Sequence, residues 1–256
     1  MNNENRDVER IEVELLLEAL RKRYGYDFAG YSTGFFARRL KRRMELEEID
    51  CITSFTGRIL RDENLARRFV ADLSINATEM FRDPSFFRLL REIVLPSLRD
   101  REVIKVWAAG CSTGEEVYSL AIVFHEEGLY ERCQIYATDI SEENIKKARE
   151  GIYRNETIKS YGENYYASGG KEEFSDYFLA DDTYSLMRSF LKKNIVFSTH
   201  NLATDGVFAE MDLILCRNVL IYFGRSLKER VIRLFFDSLR EGGFLCLGSR
   251  ETLDYS

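Results

Sequence analysis

The sequence predicts an α/β protein: a mostly parallel, doubly wound sheet, preceded by a small all-α domain and carrying a small β insertion. Three observations predict it. From residue 103 onward short apolar runs alternate with helical patterns, as when parallel strands are joined through helices. The first of those runs, Val103-Ile104-Lys105-Val106-Trp107-Ala108-Ala109, ends in a glycine loop, Gly110-Cys111-Ser112-Thr113-Gly114-Glu115. The first ~70 residues show helical spacing and no convincing strand.

In chain order, Ile11, Leu15, Leu16, Ala19, Leu20 and Tyr24 fall near helical spacing, and Phe36, Leu40 and Met44 repeat at i, i+4, i+8. Further helices are expected from Thr53 to about Leu60 and from Glu63 to Leu73. These make a helical domain over 1–74, followed by a linker over 75–98 that contributes to a ligand site. The α/β domain covers 99–256. After the glycine loop a helix is expected over Glu115 to Glu127 and a second strand over Gln134 to Asp139. Ser141, Glu142 and Glu143 then open a helix as an N-cap with acids in the first turn. Ile195 to Ser198 and Asp212 to Cys216 are the next strands. A long helix from about Leu227 to Arg240 stops at Gly242-Gly243 and gives way to a strand, Phe244 to Leu247. The stretch from about Tyr153 to Lys193 breaks the alternation. It is rich in Tyr, Gly, Ser and charge, with a turn at Gly169-Gly170, and is expected to be an inserted antiparallel sheet.

The composition is that of a globular protein, with 45% hydrophobic and 31% charged residues among 256. No apolar run approaches the ~20 residues that a membrane span needs, and the polar N-terminus does not read as a signal peptide. The five cysteines are odd in number and form no CxxC pair, and only two histidines occur. Neither a disulfide framework nor a metal site is expected, and the expected compartment is the cytoplasm. A net charge of −6 argues against general nucleic-acid binding. The charge is uneven, however: residues 21–43 hold eight Lys or Arg and a single acid, Asp27.

In an open α/β sheet ligands bind beyond the carboxyl ends of the strands. Two glycines there let backbone approach a ligand closely. The spacing is G-x-x-x-G rather than the dinucleotide G-x-G-x-x-G, and no phosphate-binding lysine loop is present. Glu115 follows the second glycine, where it would repel a pyrophosphate and favour an ammonium such as the amino-acid end of S-adenosylmethionine carries. Asp139, closing the second strand, can accept both hydroxyls of a ribose. On the loop alone, a glycine turn with a surface aspartate in an unrelated α/β protein stays open.

Five segments carry more. Ile75-Asn76-Ala77-Thr78-Glu79-Met80-Phe81-Arg82-Asp83 precedes the first strand. Cys111 to Ser119 and Ala137-Thr138-Asp139-Ile140 follow the first strand and close the second, His200-Asn201-Leu202 follows the third, and Cys216-Arg217-Asn218-Val219-Leu220-Ile221-Tyr222-Phe223 runs on from the fourth. Together, and in this order, they closely resemble the CheR family, the chemotaxis receptor glutamate O-methyltransferases. The resemblance implies a Rossmann-like class I methyltransferase domain with S-adenosylmethionine as cofactor and S-adenosylhomocysteine as product. It also implies, as partners, the acidic cytoplasmic helices of chemoreceptors. By it, Asn76, Thr78 and Arg82 contact the cofactor, and Gly110 belongs to its loop. Glu115 takes the ammonium and Asp139 the ribose. Asn201 and Leu202 border the adenine, and Arg217 with Asn218 closes the site. Arg82 and Tyr222 lie nearest the transferred methyl.

Two positions depart from the family pattern. Met80 stands where the family has the first of two aromatics, and Val117 where it often has proline. A class I sheet usually finishes in an antiparallel hairpin, and only nine residues follow Leu247, so the last strand is expected to be missing.

The implied reaction is a displacement at a sulfonium methyl by a carboxylate already ionised near neutral pH. It needs no general base, in keeping with motifs that place no histidine in a catalytic role. Cys111 has no visible base partner and reads as a small filler, and Glu116 as an exposed first-turn acid. Phe36, Leu40 and Met44 form an apolar stripe that leaves Arg38, Arg39, Arg42 and Arg43 outward, as a docking face for acidic helices. The protein is expected to act as a monomer. A non-catalytic S-adenosylmethionine sensor and a methyltransferase for another acceptor remain as rival readings.

Overall fold

A computed structural model describes residues 3–73 and 78–253. The chain forms two compact units. One comprises Met1–Ile75, Leu202–Gly206 and Val219–Arg233; the other comprises Asn76–Asn201, Val207–Asn218 and Leu234–Ser256.

The first unit opens with α1 (Asn3–Tyr24), α2 (Thr33–Leu46), α3 (Ile52–Ile59) and α4 (Glu63–Leu73). Phe36 and Phe55 set their ring edges against Phe69 at 5.6 and 5.3 Å between centroids, and all three rings are buried. Each such side chain contributes about 1.5–3 kcal/mol by leaving water. Asp62 starts α4 by accepting the N–H of Leu65 at 3.1 Å. The apolar stripe expected on α1 is only partly used: Leu16 and Leu20 are buried, whereas Ile11 and Leu15 face out.

Arg43 departs from the outward orientation expected of it. Its Nε donates to Asp72 of α4 at 2.5 Å and its Nη1 lies 3.3 Å from Glu47, with only 13% of the side chain exposed. Helical period explains this. Arg43 lies seven residues after Phe36 and three after Leu40, so it shares the face that α2 turns to α4. Arg38 and Arg42 do face out. Arg39 is half-buried, with its guanidinium 5.8 Å from the Phe35 ring centre.

In the second unit, α5 (Pro84–Leu89) continues through a π-helical stretch (Leu90–Val94) into α6 (Leu95–Ser97). There follow β1 (Ile104–Ala109), α7 (Glu115–Glu126), β2 (Cys133–Asp139), α8 (Glu142–Glu150), β3 (Ile152–Arg154), α9 (Asn155–Ala167), β4 (Phe178–Ala180), β5 (Tyr184–Met187), β6 (Ile195–Thr199) and β7 (Met211–Cys216). β8 (Leu239–Leu247) comes after α10 (Arg225–Ser238).

The main sheet has the order β6-β2-β1-β7-β8, and every neighbouring pair is parallel. From β1 the chain moves to β2 and β6 on one side and then returns to β7 on the other, so the strand order switches direction at β1. The crevice beyond the carboxyl ends is expected there. β7 is buried along its whole length and β1 at all but Lys105, which is why both read as continuous apolar runs rather than alternating ones. Trp107 is a packed strand residue whose Nε1 donates to Thr138 Oγ1 at 2.8 Å.

The insertion is the three-stranded antiparallel sheet β3-β5-β4. It also contains α9, whose inward residues Ile158, Tyr161 and Tyr165 keep helical spacing in a stretch whose Tyr, Gly and Ser content masks it. Gly169 and Gly170 turn the chain at the end of α9, donating to the carbonyls of Tyr166 and Tyr165.

One boundary differs from expectation. α10 ends at Ser238, and Leu239 already pairs with Met211; the ladder resumes where Phe244 pairs with Leu213. Gly242-Gly243 therefore interrupts a strand rather than stopping a helix. A Cβ on Gly243 would lie 2.9 Å from the Arg240 carbonyl oxygen and 3.1 Å from that of Asp212.

Candidate active site

The parallel sheet brings the residues singled out in the second unit to one edge. Gly110 follows β1, Asp139 closes β2, Asn201 follows β6, and Arg217 and Asn218 follow β7. The N–H groups of Gly110 and Cys111 donate to the Thr138 carbonyl at 2.8 and 2.9 Å, tying the loop to the end of β2. Gly114 has φ +96, and a Cβ there would lie 2.9 Å from that of Ala148 on α8. The second loop glycine is thus fixed by helix packing as well as by backbone conformation.

Asp139 is 6% exposed and accepts hydrogen bonds from Ser112 N and Ser141 N, both at 2.9 Å, and from Asn144 Nδ2 at 3.3 Å. Burial pushes its carboxyl pKa up against these donors. In addition to the ribose role expected of it, Asp139 anchors the glycine loop.

Glu115 begins α7, a helix apolar on nearly all sides and buried from Val117 to Phe124. The carboxylate is buried with it. The Thr113 hydroxyl lies 2.7 and 3.0 Å from its two oxygens, and among the described residues no basic side chain pairs with it. Burial raises its pKa to about 7, opposed by the Thr113 hydrogen bond. Cys111 is buried as well, and its thiol pKa is pushed well above the ordinary value, first by burial and then by the Asp139 charge. A thiol held protonated in this way is a poor nucleophile.

Five non-glycine residues among those described have positive φ, and four of them surround this edge: Phe81 (+54), Asp83 (+58), Ser112 (+50) and Asn218 (+61). A bulky side chain in the left-handed region costs about 1–3 kcal/mol, and such strain gathers at functional sites. Two of the four flank Arg82. Phe81 N donates to Ser119 Oγ at 2.9 Å, and the Arg82 carbonyl accepts from Arg217 Nη2 at 3.0 Å.

Arg217 is held still more firmly. Its Nη1 lies 2.6 Å from Glu116 and its Nη2 2.7 Å from Asp83, with the guanidinium carbon 4.1 Å from the Phe86 ring centre. Glu116 is accordingly not the exposed acid expected; it is half of a largely buried ion pair. Glu251, which no pattern in the sequence marks, accepts from Asn218 N at 2.8 Å and Gly248 N at 2.7 Å. The two family departures fall in the core: Met80 and Val117 are both fully buried and apolar.

The remaining residues are placed as follows. Thr78 is half-buried, and its carbonyl accepts from Tyr161 at 3.5 Å. Asn201 is half-buried. Leu202 and Tyr222 belong to the helical unit, where Leu202 is buried. The Tyr222 ring stands 4.7 Å from that of Phe35. Its carbonyl accepts from Ser32 N at 2.9 Å. Asn76 lies outside the described residues.

The model for the CheR methyltransferase SAM-binding domain matches residues 76–256, and that for the CheR methyltransferase all-alpha domain matches residues 11–74. The chain belongs to the CheR methyltransferase family. Cher3 of Pseudomonas putida, whose name assigns it provisionally to the methyltransferases, is 46% identical over 96% of this chain and 90% of its own length. The chemotaxis protein methyltransferase of Listeria innocua is 32% identical over 90% of this chain and 85% of its own. Chemotaxis protein methyltransferase 1 of Vibrio cholerae is 33% identical over 75% and 70%.

This CheR-family chain is a methyltransferase with S-adenosylmethionine as its cofactor. The donor set fits that cofactor. A buried carboxylate that pairs with no basic side chain among the described residues, just after the second glycine of a G-x-x-x-G loop, suits a ligand whose end is an ammonium and not one whose end is a pyrophosphate. No helix among the described residues is long and apolar enough to cross a membrane.

Proposed function

We propose that the chain transfers the methyl group of S-adenosylmethionine to glutamate side chains on the acidic cytoplasmic helices of chemoreceptors. The products would be glutamate methyl esters and S-adenosylhomocysteine. The observation that carries this reading is a pair of features: Glu115 at the head of α7, a buried carboxylate that no basic side chain pairs with among the described residues, and Arg82, a half-buried arginine whose backbone lies between two left-handed residues. The first suits the donor and the second an anionic acceptor.

When bound, S-adenosylmethionine supplies an electrophilic methyl on a sulfonium. Glu115 holds the ammonium, Asp139 the ribose hydroxyls, and Asn201 and Leu202 the base. Asn76, Thr78, Gly110, Arg217 and Asn218 complete the cofactor contacts that the family resemblance implies. Arg82 orients the acceptor carboxylate by hydrogen bonding and leaves a lone pair free to attack, and Tyr222 donates to the same group. An O–C bond forms as the C–S bond breaks, and no proton moves. Catalysis is therefore alignment and exclusion of water. Arg38 and Arg42, exposed on α2, with Arg39 beside them, attract the acidic helix.

The test uses methyl-labelled S-adenosylmethionine and receptor-containing membranes. Label that enters the receptor and leaves as volatile methanol in mild base is the expected result. Tight binding of S-adenosylmethionine with no transfer to any acidic helix would instead identify a sensor.

A further inference from the structure

We infer that Tyr153, on the first strand of the insertion, is a positioning residue for the cofactor site: its hydroxyl fixes Thr113, and Thr113 in turn steadies the Glu115 carboxylate. The inference rests on the reading that Glu115 receives the ammonium of S-adenosylmethionine.

Tyr153 sits in β3 opposite Ser185 of β5 and is buried. The sheet β3-β5-β4 shares no strand with the main sheet, yet the Tyr153 hydroxyl reaches the glycine loop and donates to the Thr113 carbonyl at 2.8 Å. Gly114 leaves room for this: a Cβ there would lie 3.2 Å from the Tyr153 oxygen. The ring stands edge-on to that of Tyr118, 6.2 Å between centroids. Burial pushes the phenol pKa well above its ordinary value, and the Glu115 charge adds to the rise. The hydroxyl therefore keeps its proton and its role as donor.

The earlier loop residues are tied to β2, Gly110 N and Cys111 N to the Thr138 carbonyl and Ser112 N to Asp139. Thr113 stands beyond those ties, between Ser112 at φ +50 and Gly114 at φ +96. Its carbonyl is held by Tyr153, and its hydroxyl meets both oxygens of Glu115. Two hydrogen bonds in series thus run from the insertion to the carboxylate. Without the first, Thr113 is free to turn, and Glu115 loses a bond that opposes the effect of burial. The insertion reaches a second cofactor segment through α9, where the Tyr161 hydroxyl lies 3.5 Å from the Thr78 carbonyl and Asn164 Nδ2 3.4 Å from that of Met80. Cys111 of the loop, Tyr153 of β3 and Tyr161 of α9 are the titratable groups that feel the Glu115 charge, and Glu79 acts on Tyr161 as well. Burial raises the pKa of all three, so none titrates beside Glu115 near pH 7.

The test measures S-adenosylhomocysteine affinity by calorimetry from about pH 5.5 to 8.5 in the full chain and in single variants. Tyr153→Phe should weaken binding about 5–20-fold at pH 7 and raise the pH at which affinity levels off by about half a unit or more. Thr113→Val removes the second bond directly; it should raise that pH at least as far, and adding Tyr153→Phe to it should raise it no further. Tyr118→Phe deletes a buried hydroxyl of the same kind, bonded to the Ala148 carbonyl at 2.8 Å, and should leave the pH profile in place. Weakening by Tyr153→Phe that is equal at every pH, or an equal shift in Tyr118→Phe, would overturn the proposal by reducing Tyr153 to packing. If Tyr153→Phe does not fold, Asn155→Ala serves instead. It frees the end of β3, where Asn155 Oδ1 accepts from Ser185 and Nδ2 donates to the Asp181 carbonyl, both at 2.7 Å. The same upward shift in smaller degree is expected, and an unmoved profile would overturn the proposal. Should Glu115→Gln keep the wild-type affinity and profile, the Glu115 reading fails. If Glu115→Gln flattens the profile and Tyr153→Phe leaves it unchanged, the positioning inference alone fails.

Discussion

The Thr113 hydroxyl lies 2.7 and 3.0 Å from the two oxygens of Glu115, and no basic side chain among the described residues joins them. A buried carboxylate met only by one hydroxyl and its own backbone N–H is costly to ionise, and burial raises its pKa to about 7 against those two hydrogen bonds. Glu115 thus holds back stability in the free protein and releases it when a cation arrives.

The sign of that shift sets the pH dependence of stability. A carboxyl whose pKa is higher folded than unfolded binds its proton more tightly in the native state. It lowers stability as pH rises from about 4.5 to about 7, and the full cost stands above pH 7. Glu115→Gln removes the cost. At pH 8 it should raise the stability of the ligand-free protein by up to about 3 kcal/mol, by denaturant unfolding, while weakening S-adenosylhomocysteine binding at least tenfold.

The pH dependence of ligand affinity is the second. An ammonium beside Glu115 stabilises the ionised form, so below pH 7 binding must expel a proton. Affinity for S-adenosylhomocysteine should rise by up to tenfold per pH unit from about pH 5.5 to 7 and then level off. Calorimetry in buffers of different ionisation enthalpy should show net proton release at pH 6.5. Proton uptake there, or a flat profile, would assign the ammonium to another residue.

Third, the arginines of α2 should separate into two groups. Arg38→Glu with Arg42→Glu should raise KM for a receptor fragment several-fold, an effect that fades above about 0.3 M salt. Neither change should lower the melting temperature appreciably. Arg43→Ala should do the reverse, since it strips Asp72 and Glu47 of a partially buried partner. It should cost about 1–3 kcal/mol in unfolding while leaving docking unchanged.

Fourth, Tyr222→Phe retains the ring against Phe35 and removes only the hydroxyl. It should lower kcat about tenfold with unchanged affinity for S-adenosylhomocysteine. Equal loss of kcat and stability would reduce Tyr222 to a packing residue.

Much of this was legible in the sequence because strands buried on both faces, such as Met211–Cys216, read as unbroken apolar runs, and a glycine loop at the end of one marks the sheet's working edge. The helices over 52–59 and 63–73 were legible from spacing. α9 was not, because its inward face uses Tyr161 and Tyr165, whose polar hydroxyls dilute the periodicity. Glu115 stood out by following a glycine. Glu116 beside it did not, because its partner Arg217 is 101 residues away. Long-range ion pairs leave no local pattern, which also explains why Arg43 read as outward and why Glu251 went unmarked.

Glutamate methylation is tested most directly by tandem mass spectrometry of a receptor cytoplasmic fragment after incubation with this chain and S-adenosylmethionine. Methyl groups are expected on glutamate side chains, removed by mild base, and reduced at least tenfold when Arg82→Ala replaces the wild type. Methyl groups on lysine or on a backbone amine, stable to base and indifferent to Arg82, would contradict it.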